Sequence, residues 1–291
     1  MLKQSWRSSL LIAALVVVPA CKSQAKKTAV KPNLSAAAAA AAAAAPKKNK
    51  GTEITFPSGG LQLKGLITKP EGNGPFPAIL YHHGSEQKVG TKKPVRDWFI
   101  AHNFVFFMPE RPGQGHSPGE WSMDKIKKGK DRNEKDHIEV TVHEEGADVV
   151  QDALKYLKTV PYVDKNKIIT GGCSFGGIQT LLAAERGNGV KLAIDWAGGA
   201  EDWRNKVLRK RLIKAVDNAK MPIFFLQAQN DYTTEPSETY SAEAKKAGKP
   251  YKEKIFPPHG TTHAEGHAGF CVFSPNEWSA DVWAFIQQYL K

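Results

Sequence analysis

The pentapeptide Gly172-Cys173-Ser174-Phe175-Gly176 sits between a β-branched run, residues 167–170, and an apolar stretch with helical spacing, residues 178–185. A chain that leaves a strand and enters a helix over so few residues must strain its backbone at the apex. Glycines two before and two after the serine remove the Cβ atoms that would collide there. The pattern G-x-S-x-G in that context predicts a tight strand-to-helix turn. It lifts Ser174 Oγ clear of a sheet, at a helix N-terminus whose N–H groups favour developing negative charge.

The surrounding pattern supplies the sheet. Residues 53–56 and 61–68 alternate across Pro57-Ser58-Gly59-Gly60 and predict an antiparallel hairpin at a sheet edge. Apolar runs at 77–83, 104–108, 192–196, 222–226 and 251–256 read as strands. Helical spacing at 97–102, 144–158, 236–247 and 279–289 falls between or after them. Strands alternating with helices imply an α/β fold, a mostly parallel sheet with an antiparallel N-terminal edge and helices on both faces. Ligands then bind at the carboxyl ends of the strands. Two segments break the alternation. Residues 120–144 are heavily charged without an apolar face and read as an exposed insert. Residues 202–220 read as a basic amphipathic helix near the site entrance, a lid or a docking face for a membrane or an acidic substrate.

A serine hydroxyl needs a base, and the base needs an orienting carboxylate. In a parallel sheet both should follow later strands. Asp231 comes just after the strand ending in Leu226; Asp195 is the second candidate and Asp202 the third. After the final strand come His259, His263 and His267, and the Gly-flanked turn before the last helix favours His267 as the base. The even spacing of the three histidines would suit a metal only on a helix, and Gly260, Thr261, Thr262 and Gly266 argue against one, so neither metal nor cofactor is expected. The backbone N–H groups of Phe175 and Ser85 are the expected oxyanion donors.

These residues resemble the α/β-hydrolases of the dienelactone hydrolase type over about residues 53–291. The similarity includes the turn His82-His83-Gly84-Ser85, the loop Arg111-Pro112-Gly113-Gln114-Gly115-His116-Ser117, Pro161-Tyr162-Val163-Asp164, Gln227-Ala228-Gln229-Asn230-Asp231 and Glu265-Gly266-His267. The resemblance implies the α/β-hydrolase fold, with the nucleophile at Ser174, the acid at Asp231 and the histidine at His267. Dienelactone hydrolase itself uses cysteine as nucleophile; here the cysteine is the neighbour, Cys173, which favours a more general ester as substrate.

The ends of the chain have another character. Lys3 and Arg7 precede the apolar run 10–18, too short to span a bilayer, and the run ends Val18-Pro19-Ala20-Cys21. This resembles a bacterial lipoprotein signal, with residues 1–20 as signal peptide and Cys21 as the lipidated N-terminus. Residues 21–50, with ten consecutive alanines at 36–45, read as an Ala/Lys-rich tether. Residues 51–291 form the hydrolase domain. The formal charge of +12 is concentrated in the leader and tether: residues 1–50 hold nine Lys/Arg and no acid, the rest 32 Lys/Arg against 29 Asp/Glu. A nearly neutral domain does not call for nucleic acid. Cys173 and Cys271 are expected as two separate buried thiols. The expectation is an exported, membrane-anchored serine hydrolase acting on a small-molecule ester through an acyl-enzyme. The alternatives are a serine peptidase acting on short peptides and a non-catalytic surface lipoprotein.

Overall fold

The computed structural model describes residues 51–291, which contain an eight-stranded sheet in the order β1-β2-β4-β3-β5-β6-β7-β8. The first two strands, β1 (Thr52–Ser58) and β2 (Leu61–Thr68), form the expected hairpin. Antiparallel pairing continues from β2 to β4 (Val105–Pro109). From β4 onward every pairing is parallel, through β3 (Phe76–His82), β5 (Val163–Cys173), β6 (Ala193–Trp196), β7 (Ile223–Ala228) and β8 (Tyr251–Phe256). The residues read as a signal peptide, a lipidated Cys21 and a tether lie outside the described residues.

Helices cover both faces, and each face has its own core. One core joins α3 (Arg132–Leu157), α4 (Phe175–Arg186), α5 (Lys206–Asp217) and α6 (Glu235–Lys246) through Ala153, Leu181, Leu212 and Tyr240. The other joins α1 (Lys93–Ala101) and α7 (Pro275–Tyr289) through Phe99, Trp278 and Phe285, against Tyr81, Phe106 and Trp196 of the sheet. Each of these aromatic side chains is essentially removed from water. Such burial contributes on the order of 2–3 kcal/mol apiece before ordering costs. That explains why the sheet is a rigid base for the loops at its edge.

Two segments depart from the sequence reading. The charged insert is helical: α2 (Ser122–Lys127) and the first half of α3 occupy it. Local electrostatics replaces the missing apolar face. Asp131 caps α3 by accepting from the Glu134 N–H at 2.8 Å, Glu134 accepts from the Lys130 N–H, and Arg132 pairs with Asp136 at 2.7 Å. The loop after β8 also differs. Glu265–Phe273 is a π-helical segment rather than a Gly-flanked turn. Its wider turns follow from anchoring at the apolar end, where Phe270 and Cys271 are buried and Trp278 Nε1–H donates to the Phe270 carbonyl at 3.1 Å.

Candidate active site

The expected strand-to-helix turn forms at Ser174. Ser174 lies between β5 and α4, as the N-cap of the helix, with φ 60° and ψ −121°, a conformation that a side chain normally avoids. Its backbone is held by an N–H bond to the Trp196 carbonyl at 3.0 Å and by the Ile178 N–H donating to its carbonyl at 3.1 Å. The turn also lies against the end of β3. A Cβ on Gly172 would stand 2.5 Å from the His82 carbonyl oxygen, and one on Gly176 would collide with the same atom harder still. Both glycines are therefore steric requirements of the elbow.

Beside the elbow runs the loop after β3. Among the described residues no hydrogen bond engages the Ser85 N–H or the Phe175 N–H, the two expected oxyanion donors. Arg111 organises this region. Its guanidinium donates to the carbonyl of His83 at 3.1 Å, to the carbonyl of Gly84, to His83 Nδ1 at 3.0 Å and to Gln114 Oε1 at 2.9 Å. Its carbon centre lies 4.4 Å from the ring centroid of Phe175. One buried cation thus braces both sides of the candidate hole. Burial lowers the Arg111 pKa to about 9 and pushes the neighbouring His83 well below its ordinary value, so His83 is neutral.

Asp231 and His267 come together on adjacent strand ends. His267 Nδ1–H donates to Asp231 Oδ1 at 2.8 Å and approaches Oδ2 at 3.0 Å, with both residues buried. Asn230 ties the two loops: its Nδ2 donates to the carbonyls of His259 at 2.9 Å and Thr262 at 3.1 Å, and its Oδ1 accepts from the His259 N–H at 2.8 Å. The other candidates lie elsewhere. Asp195 is buried against the Gly198 N–H at 2.9 Å, and burial raises its pKa to about 7. Asp202 and Glu139, both half-buried, form an acid pair, and burial and Asp202 raise the Glu139 pKa to about 8. His259 binds Glu277 at 2.6 Å and Ser274, and His263 reaches the Asn230 and Asp231 carbonyls at 3.1 Å. Cys173 and Cys271 are both free and buried.

The expected direct bond from Ser174 to His267 is not formed. Among the described residues His267 Nε2 has no hydrogen-bond partner, and Glu201, from the loop after β6, stands at that junction. Its Oε2 accepts from Ser174 Oγ–H at 3.1 Å and lies 3.5 Å from His267 Nε2. Sequence reasoning missed this residue because nothing in Gly198-Gly199-Ala200-Glu201 marks a functional carboxylate. Burial disfavours a charged His267, but the bond to Asp231 and the nearby Glu201 carboxylate outweigh it and lift its pKa to about 11. Bonding to His267 in turn holds Glu201 below the usual carboxylate value. At neutral pH the site therefore holds an imidazolium between two carboxylates. It becomes a base for Ser174 once that proton is lost, at raised pH or when Glu201 moves or is neutralised.

The family model for "Dienelactone hydrolase family" matches residues 63–290. The chain belongs to the dienelactone hydrolase family. A Bacillus subtilis relative, "Uncharacterized peptidase YtmA", is 31% identical over 147 residues, covering 50% of this chain and 50% of that protein. Among solved structures, the Pyrococcus horikoshii acylaminoacyl peptidase superposes with a TM-score of 0.65 at 17% identity, over 84% of this chain and 42% of that one. This chain thus spans less than half the length of that peptidase. A Klebsiella pneumoniae protein assigned to the dienelactone hydrolases superposes with a TM-score of 0.60 at 16% identity, covering 82% of this chain and 98% of that one. At such identities the superpositions establish the shared α/β-hydrolase fold.

Proposed function

We propose that this dienelactone hydrolase family member is a serine hydrolase that cleaves a carboxylic ester through an acyl-enzyme. The observation that carries the reading is the strained elbow presenting Ser174 beside the buried Asp231–His267 pair. Ser174 Oγ attacks the carbonyl carbon while its proton passes to neutral His267 Nε2. Asp231 orients and stabilises the imidazolium so formed. The tetrahedral oxyanion is received by the Phe175 and Ser85 N–H groups. Collapse breaks the bond to the leaving oxygen, which takes the proton from His267, and water repeats the sequence in reverse to release the acid.

A second reading, a serine peptidase for short peptides, uses the same steps with an amine as leaving group. The curated peptidase relative and the peptidase folds favour it. Steady-state assays on p-nitrophenyl esters and aminoacyl nitroanilides separate the two. A kcat/KM for esters well above that for anilides supports the esterase, and the reverse order supports the peptidase. No turnover of either class by wild type contradicts both readings. We also propose that residues 1–20 export the protein and that a lipid on Cys21 anchors it to a bacterial membrane, where residues 21–50 tether the domain. Metabolic labelling with a palmitate analogue tests this, and Cys21→Ala should abolish the label.

A further inference from the structure

Glu201 occupies the place where chemistry must begin, and this limits what can bind there. Its carboxylate accepts a hydrogen bond from the Ser174 hydroxyl and lies beside His267 Nε2, so it overlaps the path by which the serine proton would reach the base. Among the described residues its ion-pair partner is His267 alone; no lysine or arginine neutralises it. A fixed negative charge at this point opposes an oxygen that must become anionic. A neutral ester carries no positive charge to pair with that carboxylate.

We infer that Glu201 binds the ammonium group of an α-aminoacyl substrate, so that this site acts on amino-acid esters, amides or peptides with a free amino terminus. The inference rests on the serine-hydrolase reading above. The covalent geometry of an amino acid fits it. The α-nitrogen is two bonds from the carbonyl carbon, about 2.5 Å away. An acyl carbon brought to Ser174 Oγ therefore carries its ammonium to within hydrogen-bond reach of a carboxylate already bonded to Oγ. The new ion pair takes Glu201 off the hydroxyl and off His267, and the imidazolium can release its proton to solvent and act as base. Binding and activation become one event.

The rest of the cleft agrees with a single positive charge at this end. Glu201 lines an open cleft of about 500 Å³ that also carries Arg204, Lys206, Arg209 and Glu235. Glu235 is engaged by Trp203 Nε1–H at 2.7 Å, and Arg209 lies over the Trp203 ring at 5.3 Å. Glu201 is therefore the carboxylate left to meet an incoming cation, while the three bases beyond it disfavour a second.

The test compares L-alanine benzyl ester, N-acetyl-L-alanine benzyl ester and benzyl propionate, with benzyl alcohol release as readout and fluorophosphonate labelling in parallel. Wild type should favour the free amine in kcat/KM by about tenfold to a hundredfold. Glu201→Gln should erase most of that preference, losing activity on the amine and gaining it on the propionate. A labelled wild type that turns over the three esters equally overturns the ammonium inference and leaves the hydrolase standing, as does a preference unchanged in Glu201→Gln. A wild type neither labelled nor active on any ester removes both. The wild-type ratio decides the matter even if the variant folds poorly.

Discussion

Gly176 meets the hardest steric limit in the elbow, because any Cβ there enters the His82 carbonyl. Gly176→Ala should cost about 2–4 kcal/mol of stability, read from denaturant melts, or misplace Ser174 enough to abolish activity. Arg111→Met should lower kcat by about a hundredfold with little change in KM, since the loop carrying the Ser85 donor loses its brace. A drop in KM-dependent binding instead would place Arg111 in substrate recognition. The pH dependence has a definite sign. Activity requires neutral His267, and two carboxylates raise its pKa to about 11, so kcat/KM on neutral esters should climb with pH through the neutral range. Glu201→Gln removes one of the two charges, stabilises the imidazolium less, and should move that limb to lower pH. A limb that stays in place contradicts the electrostatics. Ser174 and Asp231 were legible because each comes just after a recognisable strand, whereas His267 is favoured in the sequence by a Gly-flanked turn that is in fact a π-helical segment. Glu201 was not legible: its role depends on how one loop folds over its neighbours, and no spacing encodes that.

At the scale of elements, boundaries set by apolar periodicity were readable, and those set by polar contacts were not. The first turns of α3 have no apolar stripe and stand on caps and ion pairs instead. Asn205 shows how such contacts join elements. Its Oδ1 caps α5 by accepting from the Val207 and Leu208 N–H groups at 3.0 Å, and its Nδ2 reaches the Asp136 carbonyl at 3.0 Å and Glu139 at 2.7 Å on α3. Asn205→Ala removes both the cap and the cross-link and should cost about 1–2 kcal/mol in thermal or chemical melts. The π-helical segment escaped the sequence for a related reason. Glycines argue against a helix in isolation, whereas Phe270, Cys271 and the Trp278 bond hold this one from outside.

For the whole molecule, alternation of strands and helices was enough to give a parallel sheet with an antiparallel edge, and the strand order adds the crossover that sets β4 between β2 and β3. That order aligns the ends of β3, β5, β6, β7 and β8, so residues 82–85, 174, 201, 231 and 267 share one edge of the sheet. The edge has its function only if Ser174 is the atom that becomes acylated. Peptide mass spectrometry after reaction with a fluorophosphonate reads this directly. One adduct per chain, on Ser174 and absent from Ser174→Ala, is expected; an adduct on another residue, or none while esters are still hydrolysed, would contradict it.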